Sequence, residues 1–328
     1  MPFEYGQQFF RIHGLNVSVS TNSRWIARET RRDLKHYTAS EPLRGQADAN
    51  LNFFVGDVIR PSLHVPSGAV REVFANDIQV FSRSSKRYIS LSSGAFIKLD
   101  LEKIRVEGCF PRNCEKSPMS RALLKWSIIK AFEMKSVFSI HCSGISNGGK
   151  VRLFVGRTGS GKTSILVLFL LNRHRMLADD VMFFQRRNLY PFSIRSTLHR
   201  VTLEKLRRTS RSKSLQRTTT VPSLEDLTRT FDAQLDKFEP DIISLYYMRV
   251  WNSNRTKLLR VSPEKMLGFL IDSYLAEFDN SYWFGWKRSE VVRKIMEAYT
   301  PLVQDARCFE AYAGYNEYNC YRRLVMGK

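Results

Sequence analysis

The sequence predicts an α/β protein built around a phosphate-binding loop and preceded by a β-rich N-terminal module. Three observations carry this prediction. Gly156-Arg157-Thr158-Gly159-Ser160-Gly161-Lys162-Thr163 fits G-x-x-x-x-G-K-[ST] at every fixed position. The motif stands between Val151–Val155, an apolar run suited to a buried strand, and Ser164–Leu171, an apolar run suited to a buried helix. Upstream, the first hundred residues show period-2 hydrophobic stretches with a single helical interruption.

Length and composition bound the rest. A chain of 328 residues has room for one large domain or two, with a sizeable core. No window reaches about 18 uninterrupted apolar residues, so no membrane-spanning helix is expected. Met1-Pro2-Phe3-Glu4-Tyr5 lacks the basic and apolar blocks of a secretory signal. Five scattered cysteines (Cys109, Cys114, Cys142, Cys308 and Cys320) read as reduced thiols, and both features point to the cytoplasm. Cys109 and Cys114 are followed by no Cys or His pair at zinc spacing, so no metal is expected there. The net charge of +21 favours an acidic partner, whether nucleic acid, anionic lipid or an acidic protein or peptide, unless it reflects a basic proteome.

In chain order, period-2 stretches within Phe9–Ser20, at Leu51–Val58 and at Ile78–Phe81 read as strands. Arg87–Leu91 and Ala95–Leu99 read as a hairpin turned by Ser92-Ser93-Gly94. A helix is expected near Asn22–Tyr37, capped by Thr21 or Asn22, with Arg28, Arg31, Arg32 and Lys35 on a solvated face. This module, residues 1–116, carries no chemistry-bearing spacing and suits substrate recognition or homo-oligomerisation. Pro111–Pro118 marks the expected boundary, and residues 117–328 form the second domain. That domain opens with a helix over Met119–Lys135, where Leu123, Leu124, Ile128, Ala131 and Phe132 recur at helical spacing. Val137–His141 reads as a strand and Gly144–Lys150 as a glycine-rich turn, so 137–142 and 151–155 should pair as a hairpin.

The glycines at 156, 159 and 161 let successive backbone N–H groups face an anion, and a helix starting near Lys162 adds its positive end. Lys162 then reaches the β and γ phosphates of a nucleoside triphosphate, and Thr163 supplies a hydroxyl to Mg²⁺. Asp179 and Asp180 follow Met176-Leu177-Ala178 and precede Val181–Phe184, beside or within an apolar strand. Either they are a solvated turn, or one completes Mg²⁺ coordination while the other accepts the proton of an attacking hydroxyl. Adjacent residues on a strand point to opposite faces, so the pair is expected to divide these roles. His141 is either a structural hydrogen-bonder or, on the strand leading to this site, a contact to phosphate or to the catalytic carboxylate.

These residues together, His141, Gly156-x4-Gly161-Lys162-Thr163 and Leu177-Ala178-Asp179-Asp180, resemble the core of the HPr kinase/phosphorylase family and its kinase-related relatives. Leu189–Ile194 with Arg195 is similar to the Pro/Arg segment that follows in such proteins, and Ile242–Tyr247 to a later strand. The resemblance covers mainly residues 137–200. It implies a phosphoenolpyruvate-carboxykinase-like P-loop fold, a mixed sheet with flanking helices. It also implies ATP and Mg²⁺ as ligands: the loop and Lys162 on the phosphates, Thr163 and Asp180 on the metal, Asp179 as base toward a Ser or Thr hydroxyl, and His141 supporting the site. The second signature of the family, tied to phosphorolysis, has no good match here, and neither does its regulatory domain.

Further on, Gln185–Arg217 carries ten Lys/Arg against one acid, Glu204, and reads as a polar loop, centred on 200–222. A lid, a docking patch for an acidic substrate, a nucleic-acid contact or a solvated insertion all fit it. Helices are expected at Asp226–Leu235, Pro263–Phe278 and Ser289–Tyr299. Tyr312, Tyr315, Tyr318 and Tyr321 fall three apart, as on one helical packing face. The function drawn is ATP-dependent phosphoryl transfer to a Ser/Thr hydroxyl of a protein or peptide. The alternatives are a kinase or NTPase acting on nucleic acid, and a nucleotide-binding module without transfer activity.

Overall fold

The computed structural model describes residues 6–39, 47–56, 64–75, 78–114, 116, 119–192, 236–277, 288–314 and 317–326. The protein is mixed α/β, with two mixed sheets and six α-helices among the described residues. It divides into two compact units, and the chain passes from the first to the second between Val137 and Phe138.

The first unit holds an eight-stranded sheet: β1 (Gln7–Ile12), β2 (Leu15–Thr21), β3 (Ala49–Val55), β4 (Val70–Ala75), β5 (Ile78–Arg83), β6 (Lys86–Leu91), β7 (Phe96–Asp100) and β8 (Arg105–Phe110). The spatial order is β1-β2-β3-β8-β7-β6-β5-β4, parallel at β2/β3 and β3/β8 and antiparallel elsewhere. The β6–β7 hairpin forms as its alternation predicts, with Gly94 at φ 83 in the turn. Helix α1 (Arg24–Asp33) is capped by Ser23, not by Thr21 or Asn22: the Ser23 hydroxyl accepts from the Ile26 N–H at 3.1 Å. Thr21 and Asn22 are otherwise engaged, Thr21 Oγ1 by the Ser23 N–H and Asn22 by the Val55 backbone.

Helix α2 (Met119–Met134) also belongs to this unit, where it packs on β2, β3 and β8. This moves the boundary from the expected 116/117 to 137/138. Its buried Leu123, Leu124, Ile128 and Phe132 form the predicted apolar stripe, but that stripe covers the first sheet. The Arg121 guanidinium fastens it to the buried Asp33 of α1 at 2.7 Å.

The second unit is a seven-stranded sheet of order β12-β11-β9-β10-β13-β15-β14. Its strands are β9 (Phe138–Asn147), β10 (Lys150–Val155), β11 (Arg175–Gln185), β12 (Asn188–Tyr190), β13 (Ile242–Val250), β14 (Lys257–Arg260) and β15 (Arg307–Ala313). Strands β10, β13 and β15 run parallel, so their carboxyl ends share one edge. A β9–β10 hairpin forms, but Cys142–Asn147 rather than the expected 137–142 pairs with Lys150–Val155, so the turn is only Gly148-Gly149, at φ 52 and 74. Gly144 lies inside β9, paired with Leu153, where a Cβ would sit 3.0 Å from the Leu153 side chain and 3.1 Å from that of Met182.

Helices α3 (Lys162–Leu171) and α6 (Glu317–Met326) cover one face of this sheet. There Phe154 packs on Phe169 and Tyr246, with ring centroids 5.3 and 5.4 Å away. On the other face Tyr247 stacks on Phe269 of α4 (Pro263–Glu277), and Phe184 meets Tyr299 of α5 (Arg288–Asp305). The tyrosine series does not share one helix. Tyr312 lies in β15 and Tyr321 in α6, because Gly314 falls between them (Tyr315 lies outside the described residues). Asp226–Leu235, Arg195 and the loop 200–222 also lie outside the described residues. Among those described, no helix is long and apolar enough to cross a membrane.

Candidate functional site

The loop follows β10 directly, at the edge where the parallel strands end, which is where α/β sheets gather ligands. Its three fixed-conformation glycines do what the spacing requires. Gly156, Gly159 and Gly161 have φ of 144, 82 and 89, a region that favours glycine. At Gly156 a Cβ would lie 2.8 Å from the Met248 carbonyl oxygen, so the loop can leave the sheet this close to β13 only with glycine. Gly161 ends the loop as the residue before α3, and no side chain caps that helix. The first-turn N–H groups are therefore left for an anion.

Lys162 is buried and donates to the Gly156 carbonyl at 2.6 Å and the Arg157 carbonyl at 3.0 Å. Its ammonium is thus held inside the turn that its own loop makes. The Ser160 N–H donates to the Arg157 carbonyl at 3.1 Å, while the Ser160 hydroxyl is buried without a hydrogen-bond partner among the described residues. An orphaned buried hydroxyl, an uncapped helix end and an interior ammonium form a donor-rich cradle, and that is the composition a polyphosphate requires. Arg157 turns outward and grips Asp272 of α4, with its Nη2 2.9 Å from Oδ1. Thr158 and Gly159 form the tip of the loop.

Asp179 lies in β11 beside this cradle and is 3 % exposed. Its Oδ1 accepts from the Thr163 hydroxyl at 3.0 Å and from the Ser143 hydroxyl at 2.6 Å. Thr163 and Asp179 together offer only oxygen, the donor type Mg²⁺ takes. Among the described residues no three His, Cys, Asp or Glu side chains gather as a metal cage. Mg²⁺ bound with phosphates needs no such cage, since one or two carboxylates suffice.

Asp180 breaks the alternation expected of its strand. In register it pairs with Cys142, on the face away from α3, whereas Asp179 pairs with Ser143 on the α3 face. Asp180, however, has φ 113, and its Oδ1 lies 3.0 Å from His141 Nδ1. His141 is two residues from Ser143 and shares its face. Both carboxylates therefore converge on one side of β9, correcting the expectation that they diverge. A non-glycine residue at such a φ stores about 1–3 kcal/mol of strain, which the surrounding pairing must hold in place.

Cys142, beneath the pair, is fully buried, and burial pushes its thiol far above the usual range. The Asp179 and Asp180 charges push the same way, against Lys162. It stays a thiol and takes no part as a nucleophile.

The structure thus brings together His141, Gly156–Thr163, Asp179 and Asp180, all named from the sequence. Sequence reasoning missed Ser143, Tyr247 and Asp272. Ser143 was within reach of it, because a strand through His141 puts residue 143 on the same face. Asp272 lies 115 residues from Arg157 along the chain, with no local signal to join them. No protein-family profile matches this chain, and no curated protein matches it.

Proposed function

We propose that this chain binds MgATP at Gly156–Thr163 and transfers the γ-phosphoryl group to a Ser or Thr hydroxyl of a protein or peptide. The observation that carries this reading is the second carboxylate. A module that only bound nucleotide would need Asp179 beside Thr163, but not a strained Asp180 turned to His141 on the same side. The HPr-kinase resemblance and the mixed sheet with helices on both faces support a phosphoenolpyruvate-carboxykinase-like P-loop fold. Five free cysteines fit a protein of the reducing cytoplasm.

The roles follow the contacts. Asp179 and Thr163, which share a hydrogen bond, hold the metal side, so the assignment expected from the resemblance is reversed. Bound Mg²⁺ would neutralise charge on the phosphate oxygens. Lys162 and the loop N–H groups bind the phosphates and meet the charge that develops in transfer. Asp180 accepts the proton of the acceptor hydroxyl as the oxygen attacks, and His141 Nδ1 orients that carboxylate. Ser143 helps to fix Asp179 by donating to the same Oδ1 as Thr163.

Incubation with γ-labelled ATP and cell extract tests the reading. Label is expected on Ser or Thr of a protein or peptide. Label in RNA would favour the nucleic-acid alternative suggested by the net charge of +21, and ATP binding without label transfer would reduce the chain to a binding module.

A further inference from the structure

We propose that Asp272, on α4, is a positioning residue for the phosphate-binding loop and acts through Arg157. This rests on the MgATP reading above. Arg157 is the loop residue whose carbonyl receives both the Lys162 ammonium, at 3.0 Å, and the Ser160 N–H, at 3.1 Å. Where its backbone sits therefore sets the lysine and the turn together. Its side chain leaves the loop toward α4 and meets Asp272 as a fork, with Nη2 at 2.9 Å from Oδ1 and 3.1 Å from Oδ2, and Nε at 3.3 Å from Oδ2. Such a bidentate pair fixes direction as well as distance.

Asp272 is itself fixed from the sheet. The Tyr247 hydroxyl lies 3.5 Å from its Oδ2, and the Tyr247 ring stacks on Phe269 at 4.2 Å and 14°, one turn before Asp272 on the same helix. The Arg249 guanidinium covers both rings at 5.1 and 5.2 Å and is paired with the buried Glu310. Burial works to raise the Glu310 pKa, but hydrogen bonds from Lys265, Arg249 and Tyr312 outweigh it and hold the carboxyl below its ordinary range. The loop is consequently held at two successive residues: Gly156 by shape against Met248, and Arg157 by charge against α4. Arg157 and Asp272 are both well exposed, so their pair adds little to global stability and its effect is local.

The test uses the full chain with Asp272→Asn, Asp272→Glu, Arg157→Ala and the Asp272→Asn/Arg157→Ala double variant. Without nucleotide, Asp272→Asn is expected to speed amide exchange at Ser160 while leaving the melting temperature unchanged. With nucleotide, it should weaken MgATP binding roughly two- to fivefold. Arg157→Ala should match it, the double variant should be no worse than either single one, and Asp272→Glu should restore most of the effect. Unchanged exchange at Ser160, or additive losses in the double variant, would overturn the proposal. So would tighter MgATP binding in Asp272→Asn, which would make Asp272 a competitor of phosphate for Arg157. If the native protein binds no MgATP, the reading of the site fails, and exchange at Ser160 still decides the role of Asp272.

Discussion

Helix α3 begins among charged groups and ends among aromatic ones, and a buried basic side chain stands at each end, Lys162 at the start and His174 just past the finish. At its start, burial gathers charge with donors around it: Lys162 sits in two carbonyls, and Asp179 receives two hydroxyls. At its end, the carbonyls of Phe169 and Leu170 are closed by the N–H groups of Asn172, Arg173 and His174, and the imidazole lies edge-on to Phe169 at 4.9 Å. A helix C-terminus by itself favours a protonated histidine, by about 0.3–1 kcal/mol. Burial, reinforced by the Arg152 charge, outweighs that and pushes His174 down to about 4. Buried polarity at the start is surrounded by donors, which suits an anionic ligand. At the end it is driven neutral, which suits packing.

The largest effect expected from this contrast is at Lys162. Lys162→Ala should remove several orders of magnitude of phosphoryl transfer, because the ammonium meets charge that grows in the transition state. His174→Gln, at the other end of the helix, should leave transfer near native. Steady-state transfer assays on the two variants compare the ends directly, and an active Lys162→Ala protein would erase the distinction.

The smaller effect is one of stability. Because the folded His174 pKa lies below that of the unfolded chain, the unfolded state takes up its proton first as pH falls. His174 therefore contributes full stability above about 6.5, loses it as pH drops toward about 4, and loses no more below that. Thermal melts of the native protein across this window should fall more steeply than those of His174→Gln, by on the order of 2 kcal/mol at the acidic end. Parallel curves would mean that the fold does not lower the His174 pKa.

How much of this was legible in the sequence differs between the elements. The loop was read residue by residue, because its glycines, lysine and threonine are required by one backbone shape. The β9–β10 hairpin is legible from two apolar runs with glycines between them, but not its register, because Gly144 reads as a turn residue and pairs within the strand. Helix α2 was legible as a helix but not in its allegiance, since an apolar stripe does not say which sheet it covers. The placement of Asp179 and Asp180 was not legible. Alternation predicts that they diverge, and periodicity carries no signal for the positive φ at Asp180 that reunites them. The tyrosine spacing misled because β15 ends near Gly314, so one periodic series spans two elements.

The reversal of those two aspartates is the point on which the mechanism stands, and one paired measurement addresses it. Nucleotide titration and single-turnover phosphorylation are run on Asp179→Asn and Asp180→Asn separately. Asp179→Asn is expected to weaken MgATP binding and slow transfer, because the amide keeps an acceptor for Thr163 but loses the negative charge that Mg²⁺ would meet. Asp180→Asn is expected to bind MgATP normally and to slow transfer by about 10²–10⁴-fold, as removal of a general base does. If Asp180→Asn loses MgATP while Asp179→Asn retains it, the roles are those first expected from the resemblance. If both variants bind and transfer at near-native levels, the pair takes no part in the chemistry and the kinase reading is contradicted.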